Sequence, residues 1–169
     1  MAAGLVALVA VALAAVAIGA AGAGVNAAAH QYAGKPDRLT GSGERLSLAG
    51  QRTRVDVSAI SDSNGGNAHG TFKVFVETVD LGTVSFRGKV HCLTVEGNRA
   101  AALGTVEKST APPVPVGSLY QVQATDNRSS GSPDTNINFF GFEPGTTECP
   151  IIPFDEIPIT KGNFTVHDG

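Results

Sequence analysis

Tryptophan is absent from this 169-residue chain, and aromatic residues make up only 6% of it. Charged residues are also sparse, at 16%, and the formal net charge is −3. A nucleic-acid-binding surface needs clustered basic side chains or aromatic rings on which bases stack. The composition therefore predicts no nucleic-acid partner, and the length leaves room for one domain after a leader.

Recognisable catalytic and cofactor motifs are missing as well. The chain has no G-x-S-x-G elbow, no P-loop and no dinucleotide fingerprint. Asp155 and Glu156 are adjacent in sequence, which does not suit a pair of glycosidase carboxylates that must flank a bond. The four histidines have no H-x-x-x-H spacing, so the sequence predicts no metal site. We expect no cofactor and no enzymatic activity.

The N-terminus contains no charged side chain before Lys35. Its apolar run, residues 5–18, has the length of a signal-peptide h-region and is short for a membrane span. Ala27 and Ala29 supply the small −3 and −1 side chains of a cleavage site before His30. The pattern predicts a helical signal peptide at 1–29 and a secreted or extracytoplasmic protein. An uncleaved anchor is the alternative, and the leader would then be the chain's only membrane contact.

The rest of the chain alternates apolar and polar residues with a period of two. This pattern is typical of strands with one buried face and one solvated face. Eight candidate strands follow: Gly41–Leu48, Thr53–Ser61, Gly70–Asp80, Gly82–Val95, Arg99–Glu107, Ser118–Thr125, Asn136–Phe142 and Asn163–His167. We expect a flexible segment at 30–39 and one all-β domain at 40–169, either a small antiparallel β-barrel or a β-sandwich. The proline-rich stretch 144–158 is expected to form an extended edge or a covering loop.

The two cysteines, Cys92 and Cys149, lie in this domain. Outside the cytosol such a pair forms and keeps a disulfide, although two free buried thiols or a metal site are alternatives. The alternation places Cys92 on the same strand face as Val90 and therefore in the core. A buried sulfur of this kind is a poor nucleophile.

A resemblance begins at "VHCLTVEGNRA". This stretch is similar to the V-x-C-L-x-V-x-G-N-x-A core of a group of small secreted proteins from high-GC Gram-positive bacteria. "GTFKVFV" upstream and "VQATDN", Asp134, Cys149 and "GNFTV" downstream extend the similarity over about residues 41–168. The resemblance implies export and an all-β domain, and it implies no catalytic residue.

Three functions remain open at this point. The first is a non-enzymatic binding or structural domain outside the cell, with an unknown partner. The second is a barrel that carries a small apolar ligand. The third is an enzyme whose site is assembled from loops, with His69, Asp126 and Asp134 as the speculative cluster.

Overall fold

Strands dominate the described part of the chain, as alternation predicts. The computed structural model describes residues 34–46, 50–79, 82–153 and 155–169. Its strands are β1 (Asp37–Leu46), β2 (Arg52–Ser61), β3 (His69–Thr78), β4 (Gly82–Glu96), β5 (Arg99–Ser109), β6 (Leu119–Thr125), β7 (Thr135–Phe140), β8 (Ile157–Pro158) and β9 (Lys161–His167). A single 3-10 turn at Arg128–Ser130 follows β6. No helix in these ranges has the length and hydropathy to cross a membrane.

The nine strands form one antiparallel sheet in the order β8-β7-β6-β5-β4-β3-β2-β1-β9. The sheet curls into a half-barrel, which confirms the all-β prediction. Each strand from β1 to β7 pairs with its neighbour in sequence, so short hairpin connections create most of the sheet. The last strand returns to pair with β1, which brings the two ends of the sheet towards each other.

All eight candidate strands have a counterpart, and only their ends differ. β1 begins at Asp37, so the last three residues of the segment expected to be flexible belong to a strand. The additional strand, β8, lies at the edge of the sheet within the proline-rich stretch. Edge strands tolerate proline because one row of their N–H groups needs no partner. The predicted signal peptide and its cleavage site at Ala27, Ala29 and His30 lie outside the described residues.

Aromatic rings fill the concave side of the sheet. Tyr120 lies against Phe86 with 4.6 Å between ring centroids and against Phe72 with 5.7 Å. A Cβ on Gly88 would lie 2.5 Å from the Phe72 ring, so the missing side chain makes room for the aromatic group. Val114, from the proline-rich β5–β6 connection, is also buried in this core.

The predicted position of Cys92 in that core is wrong, and a bulge explains the error. The pairing of β4 with β5 passes from Val90 opposite Gly104 directly to Cys92 opposite Leu103, so His91 is unpaired. One extra residue reverses the faces of those that follow. Leu93 therefore enters the main core, whereas Cys92 packs on the convex side of the sheet.

Cys92 nevertheless forms the predicted disulfide with Cys149, across a separation of 57 residues. Cys149, Leu103 and Leu119 form a second, smaller apolar cluster on the convex side. The chain that follows Cys149 then crosses β6, where Gln123 Nε2 donates to the carbonyl oxygen of Ile152 at 3.0 Å. As a result β6 is buried on both faces, and the proline-rich segment acts as the covering loop that the sequence predicts.

Candidate functional site

Both aspartates of the speculative cluster bind the backbone of β9. The buried Asp134 carboxylate accepts hydrogen bonds from the backbone N–H groups of Phe164 at 2.6 Å and Asn127 at 2.8 Å. The Asp126 carboxylate accepts one from the N–H of Val166 at 3.3 Å. The N–H groups of Phe164 and Val166 point away from β1, so the two carboxylates accept the hydrogen bonds that a further strand would otherwise accept. We call the two side chains the carboxylate clasp.

A cation accompanies the clasp at Asp126. Arg128 Nη2 and Nε donate to the Asp126 carboxylate at 2.6 and 3.0 Å. The side-chain hydrogen bonds from Arg128 are the largest cause that lowers the pKa of Asp126, and backbone N–H groups of Arg128 and Val166 act in the same direction. Asp126 is therefore held ionised, as a hydrogen-bond acceptor for β9 requires.

His69 does not join this cluster. It lies at the start of β3, where its Nδ1 is 2.8 Å from the carbonyl oxygen of Asn67. Strands β2 and β1 separate it from β9, where the clasp binds. Within the described ranges no group of three or more His, Cys, Asp or Glu side chains can hold a metal ion.

The convex face of the sheet carries a different arrangement, which no sequence motif indicates. Lys73 on β3 lies directly opposite Arg87 on β4, and Arg87 lies directly opposite Lys108 on β5. All three residues are exposed. Directly opposite residues have Cβ atoms about 5 Å apart, and like charges at that separation repel. We call Lys73, Arg87 and Lys108 the cationic row.

A second bulge creates this row. Gly88 lies opposite Val106, so a regular register would place Glu107 opposite Arg87. The register instead shifts between Arg87 and Gly88, and Lys108 takes the opposing position. Arg87 therefore lies opposite the cation Lys108 instead of the anion Glu107.

Neighbouring cations on the same face are neutralised, but the row is not. Lys89 Nζ lies 3.0 Å from a Glu107 carboxylate oxygen, and Arg54 Nε lies 2.9 Å from Asp56. Asp56 is the residue opposite Lys73, but its carboxylate accepts hydrogen bonds from Arg54 and from the Ser42 hydroxyl at 2.6 Å. Among the described residues no carboxylate forms an ion pair with a member of the cationic row.

An aromatic ring and a groove adjoin the row. Lys73 Nζ lies 4.4 Å from the centroid of the Phe75 ring, on the solvent side of β3. A groove of about 580 Å³ runs beside the row, and all three of its cations line it together with Glu107, Thr110 and Val116. The site is thus an open depression with three cations and one carboxylate, and that carboxylate is paired with Lys89.

The sequence alone predicts only part of the cationic row. Alternation alone places Lys73 and Arg87 on the solvent face of their strands. The alignment with Lys108 depends on the register and the bulge, neither of which an isolated sequence specifies. Comparisons with protein-family models, with curated proteins and with solved structures give no match to this chain.

Proposed function

We propose that this protein is a non-enzymatic binding domain that acts outside the cytosol and recognises an acidic polysaccharide through the cationic row. The observation that carries the proposal is the alignment of Lys73, Arg87 and Lys108 across three adjacent strands. Such an alignment opposes folding, because each cation repels the next. A ligand whose negative charges recur about every 5 Å would turn this repulsion into attraction.

An acidic polysaccharide fits the surface better than a nucleic acid does. The groove beside the row is open and shallow, and the protein as a whole carries a net charge of −3. A nucleic-acid-binding face has a larger basic excess and several stacking aromatics, whereas among the described residues Phe75 is the only ring in a cation–π contact with a member of the row. Carboxylate or phosphate groups on a sugar chain can bind through the three cations of the row alone.

The disulfide supports a location outside the cytosol. Cys92 and Cys149 are joined, and the described chain has no free cysteine. Disulfides of this kind persist in oxidising compartments. Export, and membership of the secreted bacterial group that the sequence resembles, remain predictions.

The packed interior gives less support to a barrel that carries an apolar ligand. Phe72, Phe86 and Tyr120 pack on the concave side with ring centroids at most 6.5 Å apart. Such rings occupy the space in which a lipocalin-like barrel holds its ligand.

A loop-assembled enzyme is also less well supported. Both clasp carboxylates are occupied by backbone N–H groups of β9, and His69 lies elsewhere. Glu156, a further carboxylate near β6, accepts hydrogen bonds from the side chains of Thr135 at 2.6 Å and Gln123 at 3.0 Å. Each of these carboxylates thus has a structural role.

Polygalacturonate, a polymer with one carboxylate per sugar, is a suitable probe. We expect the full chain to bind it at low salt and to release it as ionic strength rises, because exposed charges are screened. Replacement of all three row residues by glutamine should weaken binding about 3- to 150-fold, since each exposed ion pair contributes ~0.2–1 kcal/mol. Calorimetry or surface-immobilised polymer would measure the affinity.

The matched control is Arg38→Gln, which removes an exposed cation from β1 at the opposite end of the half-barrel. This variant should bind the polymer like the native chain. Neutral dextran should not bind. Equal binding by the triple variant and the native chain, or stronger binding of single-stranded DNA than of polygalacturonate, would contradict the proposal.

A further inference from the structure

A short stretch of the proline-rich segment lies on the convex face of β6. It comprises residues 149–153, and we call it the strap. The side chain of Gln123 holds both backbone groups of Ile152, since its Nε2 donates to the carbonyl oxygen at 3.0 Å and its Oε1 accepts from the N–H at 2.8 Å. A neighbouring strand would exchange the same two hydrogen bonds with its backbone. This face of β6 therefore binds an extended backbone through a side chain.

A second glutamine, two residues earlier on the same face, repeats this contact only in part. Gln121 Nε2 donates to the carbonyl oxygen of Pro150 at 3.1 Å. Gln121 Oε1 has no hydrogen-bond partner, although the residue is 0% exposed. A buried acceptor without a donor costs free energy. Because proline has no N–H, Pro150 cannot supply the donor that Ile152 supplies to Gln123. We call Gln121 and Gln123 the glutamine pair, and the pair can hold one more backbone N–H than the strap offers.

Apart from the disulfide, few interactions hold the strap in place. No hydrogen bond joins the backbone of residues 149–153 to the backbone of another described residue. Pro150 and Pro153 are exposed, and Ile151 and Ile152 are only partly buried. Burial of apolar area therefore stabilises the strap less than it stabilises the core. The contact depends on the glutamine pair and on the covalent bond at Cys149.

The disulfide can be attacked at one of its two sulfurs. Cys92 is half-buried, whereas Cys149 is only 2% exposed. A thiolate of a dithiol reductant would attack Cys92 Sγ, break the S–S bond and release Cys149 as a thiolate, which then takes up a proton. Thr94 Oγ1 lies 3.5 Å from Cys149 Sγ, so its hydroxyl can donate to the departing sulfur. The second thiol of the reductant then displaces Cys92, and the reductant leaves as a disulfide, having given up two electrons.

We propose that the convex face of β6 is a binding site for an extended peptide of another protein, and that the strap occupies this site until the disulfide is reduced. The peptide lies along β6 as the strap does. Two of its carbonyl oxygens accept from the glutamine nitrogens, and two of its N–H groups donate to the glutamine oxygens. It therefore carries a residue other than proline where the strap has Pro150. The site is separate from the cationic row on β3, β4 and β5, so either can exist without the other.

Three uncharged peptides test the assignment on the full chain after reduction with dithiothreitol. All have the sequence Ser-Xaa-Ile-Ile-Pro with blocked ends, which follows the strap with serine in place of its cysteine. Xaa is alanine, N-methylalanine or proline, and only alanine has an N–H. NMR titration should therefore show about 2- to 12-fold tighter binding of the alanine peptide than of the other two. The oxidised chain should bind none of them, because the strap covers the site.

Variants of the glutamine pair and of the strap should act in opposite directions on the reduced chain. Gln121→Met keeps the length of the side chain but removes its amide, so the alanine and N-methylalanine peptides should bind equally well. Ile152→Pro removes the N–H that Gln123 holds, so the strap competes less and peptide binding should tighten about 2- to 12-fold. Lys89→Met is the matched control, because Lys89 is exposed on β4 and away from β6, and it should leave peptide binding unchanged.

Hydrogen exchange on the chain without peptide gives an independent measurement. Reduction should accelerate exchange at the Ile152 amide, whereas the amides of β4 and β5 should keep their protection. Absence of peptide binding to the reduced chain, equal affinity for all three peptides, or unchanged affinity in Ile152→Pro would overturn the inference. Loss of the sheet on reduction would also overturn it, because the site must remain folded once the bond is broken.

Discussion

Removal of the Asp134 carboxylate should destabilise the fold more than its single position suggests. Asp134 is 5% exposed and holds the N–H groups of Phe164 and Asn127 at 2.6 and 2.8 Å. Asp134→Ala leaves both donors unsatisfied, and each such loss costs ~1–3 kcal/mol when the group is buried. We therefore expect a decrease of about 2–6 kcal/mol in the free energy of unfolding, against a total of ~5–15 kcal/mol for a typical domain.

Urea denaturation followed by circular dichroism measures this decrease, and amide hydrogen exchange locates it. Exchange at the Phe164 amide should accelerate in Asp134→Ala, because this N–H then loses its hydrogen-bond acceptor. Asp155→Ala is the matched control, since Asp155 is exposed and its loss should change stability by less than ~0.5 kcal/mol. A decrease below ~1 kcal/mol with unchanged exchange at Phe164 would refute the clasp.

Two further predictions concern the same end of the chain. Cys149→Ser should lower the free energy of unfolding by roughly 4 kcal/mol, because the unfolded chain is no longer constrained by the disulfide loop. Thermal denaturation of the native chain and the variant, with and without reductant, would measure the loss. Equal melting temperatures for the native chain and the variant without reductant would contradict it. Hydrogen bonds from Arg128 lower the pKa of Asp126 in the folded protein. The ionised carboxylate therefore stabilises the fold at pH values above the pKa of about 4 that it has in the unfolded chain. This contribution is lost as the pH falls through the lower pKa of the folded protein. Unfolding curves between about pH 2 and pH 6 should therefore lose part of their acid sensitivity in Asp126→Asn, and identical pH profiles would exclude this role.

The strand content could be predicted from the sequence because alternation reports burial one residue at a time. Val55, Val57, Phe72 and Val74 are buried as their spacing predicts. Alternation does not reveal bulges, because a single extra residue leaves composition and local hydropathy unchanged. The same residue reverses the face of the sheet to which every later side chain of the strand points. The Cys92 error and the missed alignment of Arg87 with Lys108 both arise in this way, at the two register shifts of β4 and β5.

The disulfide could be predicted despite that error, because the prediction used the number of cysteines and the expected compartment rather than strand geometry.

The roles of Asp126 and Asp134 could not be predicted from the sequence. Their carboxylates act on the backbone of β9, about 30 to 40 residues away in sequence. Contacts of this range depend on how the sheet curls, which no local pattern encodes.

The most direct test of the cationic row is the stability of Arg87→Gln with and without polygalacturonate. Without the polymer, the loss of repulsion from Lys73 and Lys108 should leave the free energy of unfolding unchanged or raise it by ~0.2–1 kcal/mol. With the polymer, the native chain should gain more stability than the variant, because only the native row is complete. A variant that is less stable alone, and that gains as much from the polymer as the native chain does, would contradict the account.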